Sequence, residues 1–274
     1  HVWRHFINLD GAAISRPANG DRLAIAIYIF DGGFAIGIPQ RGGFRQGGHA
    51  TIQALPVQQL VLTHHHEDHT GNVDALQRHW DCPVYAHPRC ARILAAPPAI
   101  SFPEHLIWGQ HRSAQGIQPI RGQLSTARYT FEVYHTPGHA EDHICLHEAQ
   151  QGWLFSGDLY VHHSIQYFVA NEDMAAQMDS LRAMLALDFE YFFCGHSLHH
   201  TEGKARFKRK LDFFETFVQQ VHHWHNKGYP PTQILKQMDH PERWFMRITS
   251  RGWLSALNMV EAALRVKEQD SVRD

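Results

Sequence analysis

The chain has 274 residues, with 25 Lys and Arg against 27 Asp and Glu, a net charge of -2 and 24 histidines. That length can bury a sizeable core, and the near-neutral balance offers no whole-chain argument for a nucleic-acid or membrane partner. No uninterrupted apolar segment reaches the roughly 20 residues that a bilayer-spanning helix needs. The opening His1-Val2-Trp3-Arg4-His5 has none of the parts of a secretory signal. It also has no initiating methionine, so the numbering is expected to begin inside a longer chain. Cys82, Cys90, Cys145 and Cys194 show no CxxC or zinc-knuckle spacing, which fits reduced thiols and a cytoplasmic location, with a Cys82–Cys90 disulfide left open.

Taken in order, residues 1–20 end in a turn-rich stretch, and residues 23–30 carry the β-branched and aromatic residues of a buried strand. Asp31-Gly32-Gly33 turns this strand toward a hairpin partner at residues 34–39. Gly42-Gly43 and Gly47-Gly48, beside Arg41 and Arg45, make a basic glycine loop that suits either an anionic group or simple solvation. Leu60-Val61-Leu62 reads as a short buried strand, and residues 73–80 have the apolar spacing of a helix. Between them lies Thr63-His64-His65-His66-Glu67-Asp68-His69-Thr70-Gly71-Asn72. Read at alternate positions, His64 and His66 face one way, while Asp68 and His69 face another. Imidazole nitrogens and carboxylate oxygens so arranged suit two adjacent divalent ions rather than one. His65 points away from its neighbours and reads as packed or solvated.

Residues 83–87 read as a strand and residues 89–96 as a short helix stopped by Pro97-Pro98. The pattern weakens over residues 101–118, as in a loop beside a cleft. Strands are expected at 128–135, 144–148 and 153–156, and a helix at 174–187 with Asn171 as its N-cap. A strand at 191–193 precedes Gly195-His196. Phe207, Leu211, Phe214, Val218, Val221 and Trp224 recur at spacings of three and four, which predicts one long amphipathic helix over 202–226. That helix covers a core or builds a homodimer contact, and its period cannot separate the two. Further helices are expected near 232–238 and 254–266. The basic run over residues 204–210 reads as a solvated helix face.

The motif His64-x-His66-x-Asp68-His69 on a strand-to-helix loop resembles the signature of the metallo-β-lactamase fold superfamily. Thr136-Pro137-Gly138-His139, Phe155-Ser156-Gly157-Asp158 and Cys194-Gly195-His196 follow in the order in which that family completes its site. The resemblance implies an α/β (α+β) four-layer αβ/βα sandwich over residues 1–200, with a helical C-terminal extension over 201–274 packed on the same domain. It implies His64, His66 and His139 at one metal, Asp68, His69 and His196 at a second, and Asp158 bridging both. His199 and His200 compete with His196. Zinc is the expected ion, with iron or manganese as alternatives. Asp68 is also a candidate proton acceptor, His143 a brace for a ligand, and Tyr160 and His162 candidates for a general acid or oxyanion donor, or else ordinary strand-end residues.

Thr136-Pro137-Gly138-His139 with Asp142-His143-Ile144-Cys145 is most similar to the glyoxalase II (hydroxyacylglutathione hydrolase) branch. Residues 36–39 lack the aspartate that many members carry there, and the basic pattern that holds glutathione is not evident. The function implied is a dinuclear hydrolase in which a metal-bridging hydroxide attacks an ester, thioester or lactone carbonyl of a small-molecule substrate, with no membrane partner. A phosphodiesterase or nuclease is the first alternative, with the Arg41–Arg45 loop and the 204–210 run as phosphate contacts; the neutral charge disfavours it. A single-iron dioxygenase is the second, and it would leave some of these ligands unused.

Overall fold

Short strands with apolar residues at successive positions divide their side chains between two cores, and that division sets the order of the layers. Leu60 and Leu62 point into a cluster with Val73, Leu76, Val84, Cys90 and Leu94. Val61, between them, points the other way, toward Phe131, Ile144, Phe155 and Phe193. The computed structural model describes residues 28–30, 34–36, 57–71, 73–97, 113–126, 129–194 and 202–267. Within these, β1 (Tyr28–Phe30), β2 (Phe34–Ile36), β3 (Gln59–Val61), β4 (Val84–Ala86) and β5 (Gln118–Pro119) form one sheet in that order. It is antiparallel between β1 and β2 and parallel from there on. In the second sheet β6 (Gly122–Ser125), β7 (Thr130–His135), β8 (Ile144–Glu148) and β9 (Trp153–Phe155) make an antiparallel meander. A separate ribbon pairs β10 (Phe168–Val169) with a strand near the C-terminus, and β11 (Tyr191–Phe193) joins the second sheet parallel to β9.

Two helices, α2 (Val73–Trp80) and α3 (Pro88–Ala95), cover the outer face of the first sheet through the Leu60 cluster. The two sheets meet over Val61, Ile120, Phe131, Leu146 and Phe155. On the far face of the second sheet lie α4 (Met174–Leu185), α5 (Gly203–Asn226), α6 (Pro231–Gln237) and α8 (Ala256–Arg265). There Cys145, Leu154 and Phe192 pack against Met178, Leu181, Phe207, Phe214 and Val260. The result is an αβ/βα sandwich, and the apolar stripe of α5 is spent on its core. Each fully buried Leu or Phe on that stripe contributes about 1.5–3 kcal/mol.

Several boundaries differ from the sequence expectation for local reasons. The N-cap of α4 is Asp173, whose carboxylate accepts from Ala176 N at 3.0 Å, rather than Asn171. The expected helix from 254 begins with β12 (Leu254–Ser255), because those residues pair with β10; the helix proper starts at Ala256, capped by Ser255. A further short helix, α7 (Trp244–Thr249), has no apolar stripe facing inward: Trp244, Phe245 and Ile248 stand exposed, so no period announced it. The edge strands β5 and β6 fall where the sequence pattern is weak, since little of either is buried. No disulfide joins the four cysteines, all of which are buried. Among the described residues no helix is long and apolar enough to cross a membrane.

Candidate metal centre

The loop from Thr63 to Thr70 lies over the ends of both sheets. Leu62 N donates to Tyr85 O at 2.9 Å, and Ile144 N donates to Thr63 O at 2.8 Å, so the loop is tied to β4 on one side and β8 on the other. It then enters α1 (Glu67–Thr70), with His66 as the N-cap residue and the Thr70 hydroxyl donating to the carbonyls of His65 and His66, each at 3.0 Å. Two turns from the second sheet come to meet it. In the first, Gly138 has φ +129°, and a Cβ there would stand 2.4 Å from Gln177 N, so the turn can press onto α4 only as glycine. Asp173 N–H donates to the Gly138 carbonyl, and the Ser180 hydroxyl to that of Pro137, each at 2.8 Å. In the second turn Gly157 has φ +46°, and a Cβ there would lie 2.5 Å from His143 Nε2.

These segments converge five of the expected ligands. His64 Nε2 is 3.1 Å from His66 Nδ1, which is 3.0 Å from His139 Nε2. Asp158 Oδ1 is 3.3 Å from His69 Nε2, and its Oδ2 is 3.6 Å from His139 Nε2. Two donor groups result, His64–His66–His139 and His64–His69–Asp158, each with its ligand atoms within 4.8 Å of one another. Three nitrogens held by one zinc ion at about 2.0–2.1 Å in a tetrahedron stand about 3.3 Å apart, close to the spacing seen here, so these residues fit a divalent cation. Burial supports the same fit. It holds the His64 imidazole well below its ordinary pKa, with His69, His66 and His139 adding to the effect, so the ring is neutral and has a lone pair to give. His139 moves the other way: burial lowers it, but the charge and hydrogen bond of Glu172, together with Asp158, raise it on balance.

The surrounding groups set which nitrogen of each ring faces the cluster. His139 Nδ1 lies 3.3 Å from Glu172 Oε2, so that nitrogen carries the proton and Nε2 is left for the cluster. Glu172 is itself held by Val169 N at 2.9 Å and Gln177 Nε2 at 2.7 Å. His143, fully buried, accepts from Asp158 N at 3.0 Å through Nε2 and therefore donates from Nδ1 to Thr136 Oγ1 at 2.8 Å. The Thr136 hydroxyl passes its own proton toward Cys145 Sγ at 3.3 Å. Burial above all pushes His143 down to about 3 and the Cys145 thiol up to about 12, so this brace is uncharged across the physiological range. Thr63 Oγ1 reaches His64 Nδ1 at 3.1 Å.

Other expected residues fall elsewhere. Tyr160 is 1% exposed, its ring stacked on Phe207 at 5.4 Å and edge-on to Phe192 at 5.0 Å, which is a place in the apolar core. His162 is exposed and its Nδ1 is engaged by Ser164. His65 is tied down, 2.6 Å from the buried Asp142 carboxylate, which this contact holds below its usual pKa although burial alone would raise it. The backbone of Asp68 belongs to α1, but its side chain lies outside the described residues, as do His196, His199, His200 and the Arg41–Arg45 loop. In the basic run, Lys204, Arg206, Lys208 and Arg209 each have an acidic partner, and Lys210 is buried. Sequence reading did not single out Glu172 as a partner of His139, since nothing local in the sequence links the two.

Comparison with known proteins adds to this geometry. The family model described as the Metallo-beta-lactamase superfamily matches residues 45–196. A hydroxyacylglutathione hydrolase of Legionella pneumophila (strain Lens) is 35% identical over 110 residues, covering 40% of this chain and 36% of that protein. The thioesterase pkgB of Emericella nidulans is 34% identical over 143 residues, 52% of this chain and 35% of its own. Among solved structures, TTHA1623 in a di-iron-bound form aligns with a TM-score of 0.52 at 27% identity, covering 62% of this chain and 85% of that one. The chain thus spans little more than a third of the length of the first curated relatives it matches.

Proposed function

This chain belongs to the metallo-beta-lactamase superfamily, and from that premise we propose that it is a metal-dependent hydrolase of ester, thioester or lactone carbonyls in a small-molecule substrate. The observation that carries the reading is the pair of donor groups sharing His64, built from imidazoles and one carboxylate. We propose further that the site takes two divalent cations, zinc before iron or manganese, with Asp68 and His196 completing the second position. When bound, such cations supply Lewis acidity and lower the pKa of water from 15.7 toward about 7, making a nucleophile at neutral pH.

The chain's own residues supply the positioning. Glu172 holds the proton of His139 at Nδ1, away from the cluster. His143 grips the backbone N–H of Asp158 and so sets where its carboxylate lies. Thr63 orients His64. Similarity to a hydroxyacylglutathione hydrolase and to a thioesterase supports the carbonyl-ester class. In the 204–210 run, which the phosphodiesterase alternative would use for phosphate contacts, Lys204, Arg206, Lys208 and Arg209 have acidic neighbours and Lys210 is buried.

The test is elemental analysis of protein purified without chelator, beside His66→Ala, with turnover of one thioester, one lactone and one phosphodiester. About two equivalents of metal that fall in the variant, with carbonyl substrates cleaved, support the reading. A single iron without hydrolysis sinks it in favour of an oxygenase.

A further inference from the structure

Lys210 lies two turns into α5 and is 2% exposed, an unusual place for an ammonium group. Its Nζ donates to the carbonyl of Leu159 at 2.7 Å and toward Gln177 Oε1 at 3.5 Å, and it stands 5.2 Å from the centre of the Phe214 ring. Burial lowers its pKa to about 8, partly offset by the charges of Glu172 and Asp158. A buried charge of this kind costs stability that an apolar residue of the same shape would not. Leu159 follows Asp158 directly, and the Gln177 amide links Lys210 to Glu172.

The chemistry of that link has a direction. An ammonium offers only donors and a carboxylate only acceptors. The Gln177 amide therefore lies between them with its oxygen toward Lys210 and its nitrogen toward Glu172, where Nε2 donates at 2.7 Å. Glu172 then accepts from His139 Nδ1. The series from Lys210 through Gln177 and Glu172 to His139 is polarised along its whole length, and it ends with His139 Nδ1 toward Glu172 and Nε2 toward the cluster. We propose that Lys210, supplied by the C-terminal helical region, is a positioning residue for the metal centre: it fixes the Gln177 amide, and through it the orientation of Glu172 and His139. This role rests on the metal-binding reading above and extends it to a helix that carries no ligand.

The sign of one measurement separates this role from simpler ones. A lysine acting only as a nearby positive charge repels cations, so removing it tightens metal binding. A lysine that positions ligands weakens metal binding when removed. The experiment measures Zn2+ affinity of the metal-free full chain by competition with a chromophoric chelator, and melting of the same metal-free protein, for wild type, Lys210→Met, Glu172→Gln and the double variant. Methionine keeps the apolar stem and removes the charge. We expect zinc affinity to fall by about 10- to 100-fold in Lys210→Met, and the double variant to bind little worse than Glu172→Gln alone, the signature of groups acting in series. Unchanged or tighter zinc binding in Lys210→Met, or effects that multiply independently, overturn the proposal. Lower melting with unchanged affinity shows a structural role only and overturns it too. If Lys210→Met does not fold, Gln177→Met breaks the same link, and unchanged affinity there is equally fatal. Wild-type protein that takes up no zinc refutes the metal reading itself, an outcome distinct from all of these.

Discussion

Replacing Gly157 by alanine tests the claim that the turn before Asp158 is built on close approach to His143. The backbone at Gly157 has φ +46°, and a Cβ would meet His143 Nε2 at 2.5 Å and Thr63 Cβ at 3.0 Å. Holding alanine in the left-handed region costs about 1–2 kcal/mol. Relief of the contact moves the His143 ring by about 1 Å, since ordinary contact begins near 3.4 Å. That displacement breaks the bond from Asp158 N at 3.0 Å and the bond to Thr136 Oγ1 at 2.8 Å, both buried. Each buried polar group left without a partner costs about 1–3 kcal/mol. Allowing for partial relaxation, Gly157→Ala should lose about 3–5 kcal/mol, or roughly 6–20 °C in Tm at about 2–4 °C per kcal/mol. Gly152→Ala is the internal control: its φ is +64°, but its Cβ would meet nothing nearer than Glu190 N at 3.4 Å. It should lose only the backbone cost of about 1–2 kcal/mol. Thermal and urea unfolding of the two variants of the metal-free protein give the comparison. If Gly157→Ala is no less stable than Gly152→Ala, the account of this turn is wrong.

Three further outcomes follow from named contacts. Glu172→Gln should weaken metal binding by about 10- to 100-fold, because it alters the partner of His139, and should cost about 1–3 kcal/mol of metal-free stability, because both Glu172 oxygens accept hydrogen bonds and an amide NH2 would face a donor; equal affinity by chelator competition would refute the role given to Glu172. Tyr160→Phe should keep turnover well within the roughly 10²-fold loss expected when a general acid or oxyanion donor is removed, since its ring belongs to the core; a loss of that size would restore Tyr160 to the chemistry. Glu242 accepts from Ser255 Oγ, Ala256 N and Leu257 N and faces Arg247. Burial opposes its ionised form, but these partners hold its carboxyl below the ordinary 4.5. A depressed folded-state pKa means stability that is present above the unfolded pKa and lost as pH falls through the folded one. Glu242→Gln should therefore be less stable than wild type by about 1 kcal/mol at pH 7, with the gap closing below about pH 4 in urea unfolding; a gap independent of pH would count against this assignment.

What the sequence by itself determined is what local chemistry dictates. Apolar runs around Leu60-Val61-Leu62 and Tyr191-Phe192-Phe193 made strands legible, because both faces of these strands are buried and their residues admit little else. The α5 stripe was legible for the same reason at a period of 3.6. His64, His66, His69, His139 and Asp158 stood out because glycines and strand ends punctuate their motifs, although sequence alone could not say that His64 belongs to both donor groups. Only the tertiary structure decided which polar groups are alone with which partners. Tyr160 lies two residues beyond Asp158 and looks poised for chemistry, yet the turn after β9 carries its ring onto Phe207. Lys210 sits in a basic run that reads as solvated, yet its one position on the helix faces inward. Glu172 looks like a helix-end charge until His139 is brought beside it from 33 residues away. Burial and pairing across such distances are properties of the packed chain, and no window of sequence contains both partners.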